Sequence, residues 1–332
     1  MKLAALAKGA LTKALVCGAS AITDLPDDRL LPGLSAIRGG GIAAVLPTLE
    51  LDTDSISMAM RGYTEGSRIA LEVRAGQLHF AVKAYADDPG LEAELYVVLA
   101  ANGFAGDAPV RVPPLLAWNR ELRVIAIGWL DGPTGKDLIE TGQGARAGEL
   151  AARWVQRSLS LPVKLGRPMG GAHILRKVRN WVANLNEANP ALGDEARTIA
   201  ATLERTKPKE TEPDLLHGTF YTRHLLDLGN GAGMIDWDCF GQGPLELDAG
   251  VFLSSVWQLG LRDPSLASEA AKVEAAFRAG TDGLLDERTL AWHRAAMLLR
   301  LANKINRRPS DDWPERARTL LAEAGRMAQA AG

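Results

Sequence analysis

Four side chains in this sequence are of the types that handle charged groups. Lys83 lies inside the apolar run Phe80-Ala81-Val82-Lys83-Ala84-Tyr85. A lysine in a buried strand is costly unless its ammonium is paired or reaches a ligand. The plainer alternative is a strand-end lysine whose stem is covered and whose head reaches water. Asp236 follows the strand-like pair Met234-Ile235, and carboxylate oxygen is a natural ligand for Mg²⁺. Thr219 and His224 lie upstream, in Leu215-Leu216-His217-Gly218-Thr219-Phe220-Tyr221-Thr222-Arg223-His224. Threonine offers a hydroxyl with no useful basicity near neutral pH. Histidine offers an imidazole with an ordinary pKa near ~6.5, and a nitrogen donor that suits softer divalent ions better than Mg²⁺.

The elements that would position these groups can be read from periodicity and turn residues. Short strand-like runs cover Ser57 to Met60, Ile69 to Val73 and Leu78 to Ala84, with a hairpin turn at Arg74-Ala75-Gly76-Gln77, where glycine can take positive φ. A helix is expected after Asp87-Asp88-Pro89, capped by Asp and started by Pro, and ending at Asn102-Gly103. Strands are expected again at Leu115 to Trp118 and Arg123 to Trp129. Beyond Asp131-Gly132 helical periodicity dominates: about 148–160, 172–187, 194–205, 245–261, 264–279, 287–306 and 313–330. Gly39 to Ser55, with Gly39-Gly40-Gly41, reads as a linker or irregular arm.

The segment from Leu215 to His224, with Gly233-Met234-Ile235-Asp236-Trp237-Asp238 downstream, resembles the core of the aminoglycoside phosphotransferase and choline kinase-like family. That family carries a His-Gly-Asp loop, an Asn five residues after the Asp, and an Ile-Asp-Trp or Ile-Asp-Phe strand. Thr219 stands where the resemblance places the catalytic Asp, and His224 where it places the metal-binding Asn. The resemblance covers roughly residues 57 to 305 in element order and is specific around 215 to 250. It implies an α/β (α+β) fold of two lobes, protein kinase-like, with a small antiparallel-sheet lobe and a larger, mostly helical one. The corresponding domains are 1–55, a helical extension and linker; 56–130, a nucleotide-binding lobe; and 131–332, the large lobe with the acceptor side.

The same resemblance implies roles for further residues. Lys83 would hold nucleotide phosphates, and a glutamate on the following helix would orient it. Glu92 is preferred for this and Glu94 is the alternative, against the commoner fate of a surface carboxylate. Gly66 and Ser67, in the first hairpin turn, would offer N–H groups to phosphate, although an ordinary hairpin looks similar. Trp129 and Leu130 match the connector whose backbone meets a purine edge. Asp236 and His224 would hold the metal, with Asp238 assisting or merely capping the next loop. His217 and Asp248 are expected to be structural. The implied cofactors are ATP or another purine nucleotide and Mg²⁺ or Mn²⁺, and the acceptor is a small hydroxyl compound.

Three functions compete: an active phosphotransferase with a weakened site, a pseudokinase that binds nucleotide or a partner, and a kinase-fold enzyme with an altered transfer reaction. Losing a general base commonly costs on the order of 10²–10⁴ in rate, so Thr219 favours the second. Retained Lys83 and Asp236 favour nucleotide binding and, by a small margin, the first.

Composition narrows the setting. A chain of 332 residues with 47% hydrophobic and 23% charged residues is ordinary for a globular protein. A net charge of -2 gives no global field for nucleic acid. The Arg176-Lys177-Arg179 run lies on an amphipathic helix, more often a solvated face than a nucleic-acid patch. Cys17 and Cys239 are the only cysteines, which suits a reduced, cytoplasmic setting. Lys8 and Lys13 interrupt the N-terminal apolar run, so Leu3, Leu6, Leu11 and Leu15 read as a docked amphipathic helix rather than a secretory signal. No stretch is long and apolar enough to span a bilayer.

Overall fold

The computed structural model describes residues 25–159, 161–306 and 310–332. The N-terminal helix expected from Leu3 to Leu15 lies outside the described residues, as do Cys17, Arg307 and Arg308. The chain forms two compact units. One runs up to Ala105 and includes Val112–Leu130; the other comprises Gly106–Arg111 and Asp131–Gly332.

The first unit is built on helix α1 (Pro32–Val45), strands β1 (Ile56–Thr64), β2 (Arg68–Ala75) and β3 (Leu78–Tyr85), and helix α2 (Gly90–Ala101). After a two-residue strand of the second unit, β4 (Val110–Arg111), come β5 (Leu115–Asn119) and β6 (Val124–Gly128). The sheet order is β1-β2-β3-β6-β5, antiparallel throughout. Strand alternation divides β3 between two faces. Phe80, Val82 and Ala84 join Leu34, Ile37, Ile42 and Val45 of α1 in one core. Lys83 and Tyr85 take the opposite side, where α2 brings Glu92.

Helix α1 corrects the expectation of a linker. Residues 39–41 lie within it, and only Gly41, at φ +79°, departs from helical geometry and kinks it. Gly33 sits so close to Val124 and the Leu122 carbonyl that a Cβ would clash with both. Burial of four large aliphatic side chains overrides the weak helix propensity of three glycines.

The second unit is mostly helical. It contains α3 (Gly135–Glu140), α4 (Gly144–Ser158), β7 (Arg167–Pro168), α5 (Gly171–Ala188), α6 (Pro190–Arg205) and β8 (Asp214–Leu216). Strands β9 (Leu225–Asp227), β10 (Ala232–Met234) and β11 (Gly241–Gly243) follow. Helices α7 (Leu245–Arg262), α8 (Ala267–Gly280), α9 (Glu287–Asn306) and α10 (Trp313–Ala330) complete it. Two small sheets, ordered β4-β10-β9 and β7-β11-β8, carry the loops of interest. Helix α3 precedes the helical ranges that periodicity predicts. Its signal is a capping box in which Thr134 and Asp137 satisfy each other's backbone N–H groups. A bidentate Arg146–Asp227 pair, both contacts 2.8 Å, fastens β9 to α4.

One buried polar group stands apart. His293 on α9 is fully enclosed, and neither ring nitrogen has a hydrogen-bond partner. Burial pushes its pKa down to about 3. Below an ordinary value of about 6.5 the unfolded chain takes up a proton that the folded chain refuses. Its contribution is therefore fully present above that pH and is lost as pH falls towards 3. His293→Leu should flatten this acid limb. Denaturation at pH 7.5 and 5 should show the wild type losing roughly 2 kcal/mol more than the variant. Equal losses would mean that His293 is protonated in the fold.

Candidate active site

Lys83 and Glu92 form a buried pair in the first unit. The ammonium lies 2.9 Å from Glu92 Oε1, with side-chain exposures of 8% and 5%. Glu92 also accepts hydrogen bonds from the Tyr85 hydroxyl at 2.6 Å and the Tyr96 hydroxyl at 3.4 Å. Burial drives the Tyr85 pKa well up, which keeps that hydroxyl a donor. A buried ion pair holds only if further hydrogen bonds satisfy both charges, and here two phenols do so for the carboxylate. Glu94 faces solvent, so the lysine's partner is Glu92.

The β1–β2 turn departs from its expected chemistry. The Gly66 N–H donates to Asp28 Oδ2 at 2.7 Å, and the Ser67 N–H donates to the Thr64 carbonyl. Asp28 also accepts from the Tyr63 hydroxyl at 3.0 Å. The Gly66 N–H, foremost among these contacts, holds its pKa below the usual carboxylate value. A side-chain carboxylate thus takes the place expected for a phosphate. The Trp129 N–H is likewise committed, to the His79 carbonyl, and its ring stacks on His79 at 4.6 Å. Leu130 follows it at the end of the first unit.

The second unit gathers the remaining residues around the β8–β9 loop. Asp248, in the first turn of α7, accepts the His217 N–H at 2.6 Å and the Gly218 N–H at 2.9 Å. Burial pushes its carboxyl up to about 7, while those two donors pull the other way. Gly218, at φ +77°, passes so close to the Cys239 carbonyl that only glycine fits. Trp237 is fully buried against the His217 ring, at 4.6 Å, and donates to the Met234 carbonyl.

Hydrogen bonds fix the protons on both histidines. His217 Nε2 is 2.8 Å from the Ile235 carbonyl, which can only accept. The proton is therefore on Nε2, and Nδ1 is left to accept from the Thr219 N–H at 3.3 Å and the Thr219 hydroxyl at 3.2 Å. His224 Nδ1 is 2.8 Å from the Thr219 carbonyl, so it carries the proton there. Burial, then the neighbouring His217, pushes the His224 pKa down to about 3. The ring is neutral, and its Nε2 presents a lone pair to Asp236 Oδ2 at 3.4 Å.

Two lone-pair donors facing each other fit a cation. Asp236 adopts φ +68°, a left-handed conformation rare outside glycine, which turns its carboxylate towards His224. No group of three His, Cys, Asp or Glu side chains converges for a metal among the described residues, so Asp238 does not complete a triad with the pair. Two protein ligands are enough where substrate phosphates and water supply the rest.

The family model of a phosphotransferase enzyme family matches residues 77–285, and the chain belongs to that family. No curated protein matches the sequence. Among solved structures, a thermostable mutant of the aminoglycoside phosphotransferase APH(4)-Ia, in a ternary complex with AMP-PNP and hygromycin B, is 13% identical. It aligns over 88% of this chain and 99% of its own, with a TM-score of 0.60. A choline/ethanolamine kinase family protein from Mesorhizobium loti is 17% identical over 86% and 91%, with a TM-score of 0.56. An ethanolamine kinase from Plasmodium vivax is 12% identical over 85% and 86%, at 0.52. The fold is kinase-like, an antiparallel-sheet lobe and a helical lobe, as the sequence motif implies.

The loop's dependence on Asp248 is testable. Asp248→Ala strands two buried N–H groups, each costing about 1–3 kcal/mol. Chemical denaturation should show a loss of at least ~2 kcal/mol, and Asp248→Asn, which keeps one acceptor oxygen, should lose less. Equal stability of the alanine variant would mean that the loop is held elsewhere.

Proposed function

We propose that this protein transfers a phosphoryl group from ATP, or another purine nucleoside triphosphate, to a hydroxyl of a small molecule. The observation that carries the reading is the His224–Asp236 pair, whose facing lone pairs suit a divalent ion. Family membership and the buried Lys83–Glu92 pair support it. A bound divalent ion, Mg²⁺ or Mn²⁺, would neutralise charge on phosphate oxygens. The imidazole nitrogen of His224 favours Mn²⁺ over Mg²⁺ relative to an all-oxygen site.

Thr219 replaces a carboxylate, yet it retains a route for a proton. Its hydroxyl hydrogen points to His217 Nδ1, which leaves oxygen lone pairs to accept a hydrogen bond from an incoming alcohol. As the alcohol oxygen bonds to phosphorus and the bond to the departing nucleoside diphosphate breaks, the alcohol proton passes to Thr219 and the threonine proton to His217. His217 keeps its other proton on Nε2, which donates it to the Ile235 carbonyl. Positioning supplies most of the catalysis in such transfers, so a slow relay suffices for modest turnover.

A second reading, a nucleotide-binding pseudokinase, is favoured by Thr219, whose hydroxyl has no useful basicity near neutral pH. The two are separated by Thr219→Val, which keeps shape and removes the hydroxyl. On the phosphotransferase reading, Thr219→Val lowers Mn²⁺-supported transfer by about 10²-fold without altering the melting shift given by AMP-PNP. Thr219→Asp raises it. Saturating nucleotide at ~100 Kd should stabilise by about 2.7 kcal/mol, and Lys83→Ala should remove most of that. A nucleotide shift with no turnover in the wild type or in Thr219→Asp establishes the pseudokinase.

A further inference from the structure

Two tyrosines of the first unit share one carboxylate, and they hold it in different ways. Lys83 and Tyr85 are two residues apart on β3 and so share a face. Glu92 and Tyr96 are one turn apart on α2. The strand therefore supplies a cation and a phenol, and the helix supplies a carboxylate and a phenol. Glu92 Oε1 takes the Lys83 ammonium at 2.9 Å and the Tyr96 hydroxyl at 3.4 Å. Its Oε2 takes the Tyr85 hydroxyl at 2.6 Å, the shortest of the three contacts. A hydroxyl–carboxylate bond of that length is charge-assisted and strong, whereas 3.4 Å lies at the outer edge of hydrogen bonding.

The strand side of this arrangement is fixed. Lys83 stands opposite Ala70 of β2 and Ile125 of β6, and Tyr85 stands opposite Arg68. The Tyr85 N–H donates to the Arg123 carbonyl at 3.1 Å, and the side chain is buried. Its hydroxyl is thus anchored on the sheet, and the second carboxylate oxygen is set against it. A carboxylate turns about the bond to its chain, so holding Oε2 also fixes Oε1, and with it the ammonium. Tyr96 gives no such reference, because it lies on the same helix as Glu92 and moves with it. The simpler role of a phenol here, satisfying a buried charge, would be met by either tyrosine.

We infer that Tyr85 is a positioning residue for nucleotide: by holding Glu92 Oε2 it fixes where the Lys83 ammonium stands against a nucleotide phosphate. This rests on the binding of nucleotide by Lys83, which the phosphotransferase and pseudokinase readings share. Without the hydroxyl, Oε2 is a buried acceptor that has lost its donor, and the ammonium is a donor able to replace it. The carboxylate then turns towards Lys83 and draws its charge away from the phosphate.

The test is AMP-PNP binding to the full chain with Mn²⁺, by calorimetry, beside the melting temperature of the nucleotide-free protein. Tyr85→Phe should weaken AMP-PNP by about 10-fold. Tyr96→Phe, which removes a hydroxyl from the same carboxylate, should leave the affinity close to that of the wild type. In a Glu92→Gln background no carboxylate charge competes for the ammonium, so adding Tyr85→Phe should change the affinity little. Interacting groups show such non-additivity and independent ones do not. A lower melting temperature for Tyr85→Phe with AMP-PNP affinity unchanged would overturn the inference, as would the same loss in the Glu92→Gln background. An equal loss for adenosine, which has no phosphate, would also overturn it. A wild type that binds no AMP-PNP would defeat the nucleotide reading itself, and the inference with it.

Discussion

The candidate site depends on one buried carboxylate. Asp248 takes the N–H groups of both His217 and Gly218 from inside the protein. That grip fixes where β8 ends and how the following loop turns. His217 then reaches the Ile235 carbonyl, His224 reaches the Thr219 carbonyl, and Asp236 is turned back by its left-handed conformation. Each bond leaves one defined lone pair or proton for the next. The Asp248 bonds themselves go to backbone N–H groups, so they do not depend on which side chains stand at 219 and 224.

This separation of frame from chemistry makes the two departures intelligible. Thr219 lacks a carboxylate, but its hydroxyl is ordered by His217 rather than left to rotate. His224 lacks an amide oxygen, but its neutral ring presents nitrogen where a ligand would sit. Both replacements retain a lone pair and change its hardness or basicity. The outcome is a site altered in donor type, with its bonding pattern intact. In the first unit, by contrast, the turn glycine is engaged by Asp28, a contact between segments 38 residues apart.

What the sequence shows follows from how local each signal is. The Lys83 strand is legible because alternation along Phe80–Tyr85 and a charge inside an apolar run coincide. Glu92 is legible as the first glutamate of the next helix, although only the fold separates it from Glu94, which faces solvent. The β8–β9 loop is legible from its motif. Helix α1 is not, because three glycines read as a breaker and the burial of Leu34, Ile37, Ile42 and Val45 is tertiary. The Asp28–Gly66 contact is likewise invisible locally, since it joins segments distant in sequence. The proton positions on His217 and His224 follow only from the carbonyl acceptors that the fold places beside them.

The central claim is that His224 contributes a nitrogen ligand to a divalent ion shared with Asp236. Pulsed electron paramagnetic resonance of Mn²⁺ bound together with AMP-PNP reads this directly, through the modulation that a coordinated ¹⁴N imposes on the echo. The account predicts imidazole modulation in the wild type, its disappearance in His224→Asn with Mn²⁺ still bound, and loss of bound Mn²⁺ in Asp236→Ala. Bound Mn²⁺ whose signal shows only oxygen and phosphorus neighbours, unchanged in His224→Asn, would contradict it.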